Sequence, residues 1–213
     1  MRRHAAAVGV VALLGVDILA QSAPVTIDRI VARVNDEIVQ SLDVRQARLL
    51  KLFGPDVATD DAVLEHLINR RLALGDAARY PVPEPSATDV ASRRQRWEAS
   101  LTPGSGTTLN VPALLRDAGM TETGLSGWLK DDARIETLEN QRFTSAPATR
   151  DELLKYVRDH EASFAQPGGR LADVDDPAVQ AKARAEIASA KRAAAVADWI
   201  DSLRKRAQIQ IIR

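Results

Sequence analysis

The chemistry this sequence can offer is narrow. Cysteine is absent from the 213 residues, which removes disulfides, thiolate catalysis and cysteine-based metal sites together. Of the three histidines, His4 lies in the N-terminal leader. His66 follows Glu65, and His160 sits between Asp159 and Glu161. Neither has a second ligand or a nucleophile at a useful spacing, so both read as surface or helix-packing residues. The acidic pairs Asp60-Asp61, Asp131-Asp132 and Asp175-Asp176 invite a metal reading. Calcium, however, wants several oxygens converging from one loop. The first and third pairs stand at predicted helix starts, where carboxylates cap free N–H groups and offset the helix dipole. The middle pair falls on a charged helix face. There is no nucleophile elbow, phosphate-binding glycine loop or H-E-x-x-H motif. These residues predict no catalysis, no metal and no cofactor.

The tryptophans are the larger resource. Trp97, Trp128 and Trp199 are the bulkiest apolar groups in a chain that is only 4% aromatic. Two readings stand beside each other. The first is core packing, the usual fate of large aromatics. The second is that Trp97, Leu101, Leu114, Leu115, Met120 and Trp128 partly line an apolar groove for extended polypeptides. They fall around the Gly/Ser/Thr-rich stretch at 102–108, a loop whose adaptability would suit varied partners.

The elements that must position these residues are mostly helices. Basic and acidic residues balance at 29 each, which argues against nucleic acid as a partner, since such proteins concentrate a basic face. Residues 1–23 have the layout of a secretory signal: Arg2-Arg3-His4, an apolar run from Ala5 to Leu14, then small residues to Ala23. Asp17 cuts that run well short of the roughly 20 residues a membrane span needs, so no stable span is expected after cleavage. Ile27 to Val34 reads as a strand and Asn35-Asp36 as a tight turn. Glu37 to Gln40 returns, with Ile30, Ala32, Val34 and Val39 on one face. Ser41 or Asp43 is expected to cap a helix running to Gly54-Pro55. Further helices are predicted from Thr59 to Tyr80, from Ser86 or Thr88 to Leu101, and over Val111–Asp117. Thr121 should open another reaching Arg142-Phe143, and Arg150 to Phe164 should be helical throughout. Asp176, followed by Pro177, caps a long last helix. Its apolar face holds Val179, Ala183, Ile187, Ala190, Ala194, Ala197, Trp199, Ile200 and Leu203. Ile209 to Ile212 alternates like an edge strand, which predicts one small sheet joining an N-terminal hairpin to the C-terminus.

In this order the pieces resemble the N-terminal chaperone domain of the SurA family of periplasmic peptidyl-prolyl isomerases. The matching text is IVARVNDEIV from Ile30 to Val39 followed by Ser41-Leu42-Asp43, and then LINRRLAL from Leu67 to Leu74. Ala118 to Glu122 leads into a helix ending Gln141-Arg142-Phe143, and Arg150 to Tyr156 runs on to Ser163-Phe164-Ala165-Gln166-Pro167-Gly168. Each segment alone is weak; in sequence they are fairly specific.

The resemblance implies a mainly α fold divided as a signal peptide (1–23), a helical chaperone core (24–166), a linker (167–175) and a C-terminal helix and strand (176–213). Family members carry parvulin isomerase domains after the segment resembling 164–168. Here only about ten residues follow before the last helix, and a domain needs on the order of a hundred. Isomerase activity is therefore not carried over. What the resemblance implies instead is an ATP-independent periplasmic holdase for unfolded polypeptides, outer-membrane proteins among them. An exported adaptor docking one envelope partner and a remnant of a parvulin enzyme are the alternatives.

Overall fold

β-Branched residues in near alternation form strand β1 (Ile30–Val34), and Asn35, at φ 53°, turns the chain. Asparagine tolerates this left-handed conformation because its short polar side chain bonds locally. Strand β2 (Glu37–Gln40) returns antiparallel. The structure is a computed structural model and describes residues 28–101, 109–144, 146–164 and 173–212. The expected leader at 1–23, the loop at 102–108 and all but the last three residues of the 167–175 linker lie outside them.

Strand β3 (Ile209–Ile211) pairs antiparallel with the other side of β1, giving the order β2-β1-β3. The two ends of the described chain thus close on one small sheet, as the sequence predicts. One detail departs from the expected alternation. The β1–β2 register shifts between Ile30 and Ala32, and such a bulge reverses which side chains face inward. Val31, rather than Ile30, therefore joins Ala32, Val34 and Val39 at the core.

Helix α1 (Ser41–Leu49) begins from Gln40 as its N-cap, correcting the expected cap at Ser41 or Asp43. Asp43 acts one turn in, its Oδ2 accepting the Gln40 N–H at 3.0 Å. The Ser41 hydroxyl instead donates to Asp28 at 2.7 Å. The helix stops at Leu49, earlier than the glycine signal at Gly54 suggests, and Lys51 turns the chain at φ 48°. Helix α2 (Asp60–Ala77) starts at Thr59, whose side chain accepts the Ala62 N–H. It buries Leu67, Ile68, Leu72 and Ala73.

Helix α3 (Ala87–Leu101) follows the prolines, with Ser86 and Asp89 bonding each other's N–H groups. Helix α4 (Val111–Ala118) ends on Gly119 at φ 69°. There a left-handed residue lets the Met120 N–H reach the Leu115 carbonyl at 2.9 Å. Helix α5 (Glu122–Arg142) is capped by Thr121, as expected. The helix predicted across Arg150–Phe164 is broken in two, α6 (Arg150–Asp159) and α7 (Glu161–Phe164). His160, at φ −120°, interrupts it, its backbone N–H and Nδ1 both meeting the Tyr156 carbonyl.

Helix α8 (Pro177–Arg206) is 30 residues long with Asp176 as its cap. Ala183, Ile187, Trp199 and Leu203 are buried along it, while Ala190, Ala194 and Ala197 are exposed. The reason lies in what α8 meets. Its first half packs on α6 and its last turns on α2. The alanines between them face neither.

Three apolar clusters follow from this layout. The main one joins β1, β2, α1, α2 and the end of α8. A second lies among α3, α4 and the start of α5, closed by Leu50. A third is local to α6, α7 and the first half of α8. No helix among the described residues is long and apolar enough to cross a membrane.

Candidate peptide-binding site

The six residues expected to line a groove are brought together, but in two layers. Trp97 and Leu115 are 7% and 4% exposed and sit inside the second cluster with Val111, Ala118, Leu125 and Leu129. Leu101, Leu114, Met120 and Trp128 are partly buried against it. Trp97 is anchored further by its indole N–H, which donates to the Leu50 carbonyl at 2.8 Å. A buried indole that has satisfied its N–H has little left to offer a partner. Of the six, only Met120 and Trp128 line the groove beside α5; Trp97 and Leu115 are buried behind it, and Leu101 and Leu114 lie on the same cluster outside the groove.

Trp128 is the hinge of this arrangement. It touches both the main and the second cluster, as does Leu52. The Phe53 ring meets it edge-on, centroids 5.7 Å apart. On its other face the Arg70 guanidinium lies 3.8 Å from the ring centroid, a cation–π contact. Arg70 is itself only 8% exposed. A buried charge of this kind is costly unless paired, and here it is paired fully. Nε donates to Asp132 at 3.0 Å, and Nη2 donates to Asp131 at 3.3 Å and to the Trp128 carbonyl at 3.0 Å.

The Asp131-Asp132 pair therefore serves as the counter-charge of a buried arginine rather than as a solvated helix face. Burial pushes the Asp132 carboxyl above the usual aspartate range, while the charges of Arg70 and Arg93 pull it back. Among the described residues no group of His, Cys, Asp or Glu side chains could hold a metal ion. His66 is stacked on Phe53 at 5.0 Å and His160 on Tyr156 at 4.0 Å. Asp60 pairs with Arg48, Asp175 with Arg150, and Asp176 caps α8.

A groove of about 430 Å³ opens on the Arg70 side of Trp128, between α1, α2 and the first turns of α5. Met120 and Trp128 supply its apolar surface, and Gly124 and Gly127 leave part of the α5 backbone uncovered. A Cβ on Gly127 would meet nothing within 4 Å, whereas one on Gly124 would stand 3.3 Å from the Met120 side chain. Arg71, Asp43, Gln46 and Asp131 edge the groove with charge and hydrogen-bonding groups. Met120 and the part of Trp128 that Arg70 leaves open, set among polar and charged side chains, can take apolar side chains of an extended polypeptide. The glycines and Arg70 were not singled out by sequence. The spacing of Gly124, Gly127 and Trp128 along one predicted helix was the available signal.

No protein-family model matches the chain, and no curated protein matches it. Among solved structures, it is similar to a chain described with the virulence factor PEB4 and the periplasmic protein Cj1289, two structurally related SurA-like chaperones of Campylobacter jejuni. The likeness has a TM-score of 0.52 at 13% identity, and covers 86% of this chain and 99% of that one. Mainly helical, with three strands joining its ends, the chain has the fold of a SurA-like chaperone.

Proposed function

We propose that this chain is an ATP-independent holdase, exported to the periplasm, that binds unfolded polypeptides and has no prolyl isomerase activity of its own. The observation that carries the reading is the likeness in fold to SurA-like chaperones over 86% of the chain. The groove beside Trp128 supports it, because Met120 and Trp128 offer apolar surface to the side chains that unfolded chains expose. The short connection between Phe164 and Asp176 supports the lack of an inserted catalytic module at that point, since a domain of about a hundred residues cannot fit there. Outer-membrane β-barrel proteins are the proposed clients, being long in transit and unable to fold in water.

Binding follows from mass action. A protein that meets only the unfolded form of its client lowers the free concentration of that form, and releases it as the client folds or inserts. The test is fluorescence anisotropy with a labelled, permanently unfolded polypeptide and with its folded counterpart. The reading expects saturable binding of the unfolded form alone, weakened by Met120→Ala and Trp128→Ala. Tight binding to one folded envelope protein and none to unfolded chains would replace it with a dedicated adaptor.

A further inference from the structure

On the opposite side of Trp128 from the groove lies a smaller crevice of about 180 Å³, bounded by the α1–α2 connection, α3 and α5. Its lining is basic. Lys51, Arg93 and Arg96 line it together with Asp132, Glu136 pairs with both arginines beside it, and Trp97 and Trp128 form its apolar wall. Asp132 is already compensated, because Arg70 donates to it at 3.0 Å from the other side.

The donors of these cations are underused. Arg93 Nη2 bonds Glu136 at 2.5 Å and the Asp132 carbonyl at 3.3 Å. Arg93 Nη1 comes no nearer than 4.0 Å to the Asp132 carboxylate, beyond hydrogen-bond range, and Nε is buried without a partner. Arg96 shares Glu136 at 3.3 Å. Lys51 makes no ion pair among the described residues.

Lys51 is also held at φ 48°, a conformation that costs an ordinary L-residue roughly 1–2 kcal/mol. A glycine would take it freely, yet the position carries a cation on the crevice wall. The conformation is the left-handed cap that ends α1, with the Lys51 N–H bonding the Arg48 carbonyl at 3.2 Å and the Leu52 N–H the Ala47 carbonyl at 3.0 Å.

We propose that this crevice is an oxyanion site, taking a phosphate or the carboxylate of an acidic side chain between Lys51, Arg93 and Arg96. Its volume of about 180 Å³ admits such a group beside the three cations. Arginine forks and a lysine point charge are the usual partners of both oxyanions. The assignment does not rest on the holdase reading, since a protein of another function with these side chains would bind the same group.

Equilibrium dialysis of the full-length chain with radiolabelled inorganic phosphate, at ionic strength held constant with chloride, tests it. A parallel dialysis uses a short labelled peptide bearing one glutamate, against its glutamine twin. The expected result is saturable binding of phosphate or of the glutamate peptide, weakened about tenfold by Lys51→Gly or Arg96→Gln, the loss of one charge-assisted hydrogen bond. Lys51→Gly eases the backbone while deleting the cation, so its loss of binding would not reflect unfolding. Binding of phosphate alone identifies a free anion as the ligand, and binding of the glutamate peptide alone identifies a polypeptide carboxylate. Absence of saturable binding in both arms, or affinities unchanged in both variants, overturns the assignment.

Discussion

Asp76→Ala should loosen the fold, because this side chain joins three helices. It is 7% exposed, and its Oδ2 accepts the Trp199 indole N–H at 2.9 Å and Arg142 Nη1 at 3.1 Å. These contacts tie the end of α8 to α2 and to the end of α5. Trp199 is 4% exposed and packs on Phe143 with centroids 5.6 Å apart, so its N–H cannot turn to water. Leaving that donor unpaired costs about 1–3 kcal/mol. Arg142 is 39% exposed and can be rehydrated, so its lost ion pair adds up to about 1 kcal/mol. Together the substitution should cost about 1–4 kcal/mol in urea unfolding followed by circular dichroism, with the slope unchanged. Asp76→Asn keeps an acceptor and should cost about half as much. In a Trp199→Phe background, where no N–H needs an acceptor, Asp76→Ala should cost about 1–2 kcal/mol less than in the parent. Additive effects in that cycle, or a loss under about 0.5 kcal/mol for Asp76→Ala, the range of surface changes, would refute the reasoning.

Amide exchange should alternate along β3. The Ile212 N–H bonds the Val31 carbonyl at 2.9 Å, and with the Arg33–Gln210 pairing the ladder gives Gln210 the same inward role. Gln210 and Ile212 should exchange slowly and Ile209 and Ile211 fast; uniform fast exchange would mean the strand is not docked. Trp97→Ala should cost about 3–5 kcal/mol as a core truncation, whereas Trp97→Phe, which loses the bond to Leu50, should cost about 1–2 kcal/mol; a Trp97→Ala protein as stable as the parent would place this ring on the surface. Acid should act on two carboxylates in opposite directions. The raised Asp132 carboxyl takes its proton earlier in the folded state than in the unfolded chain, so its penalty at neutral pH is relieved as pH falls through that raised value. Glu152 is held low by the Lys191 ammonium and the Thr149 amide, so its contribution is full above the unfolded-state value and lost as pH falls through the lowered one. Carboxyl titrations followed by NMR check both, and Asp132 titrating below its unfolded-chain value, or Glu152 above its own, would contradict them.

The helices and the closing sheet were legible because period and caps agree. Thr59, Thr121 and Asp176 accept N–H groups where sequence places them, and Pro177 opens α8 at the position proline favours. What escaped depends on partners distant in sequence. The bulge that exchanges Ile30 for Val31 is set by pairing with β2, and a strand's own alternation cannot contain it. Gln40 caps α1 although Ser41 and Asp43 are the better capping types, because Asp28 occupies the Ser41 hydroxyl. The break at His160 leaves no glycine or proline to announce it.

The candidate site was half legible. Its six residues fall in one apolar cluster, but only Met120 and Trp128 reach the groove, because a hydrophobic pattern reports that a side chain is apolar and not how deep it sits. Arg70 reads as an ordinary charge within LINRRLAL until α5 brings Asp131, Asp132 and the Trp128 ring around it. Lys51 is likewise unremarkable until its φ is known.

The central claim is holdase activity, and aggregation tests it most directly. A denatured outer-membrane β-barrel protein is diluted into buffer with and without this protein, and light scattering is followed. The account predicts suppression at near-stoichiometric ratios without nucleotide, weakened by Trp128→Ala in a variant that remains helical by circular dichroism. Unchanged scattering in the presence of a well-folded helical protein would contradict it.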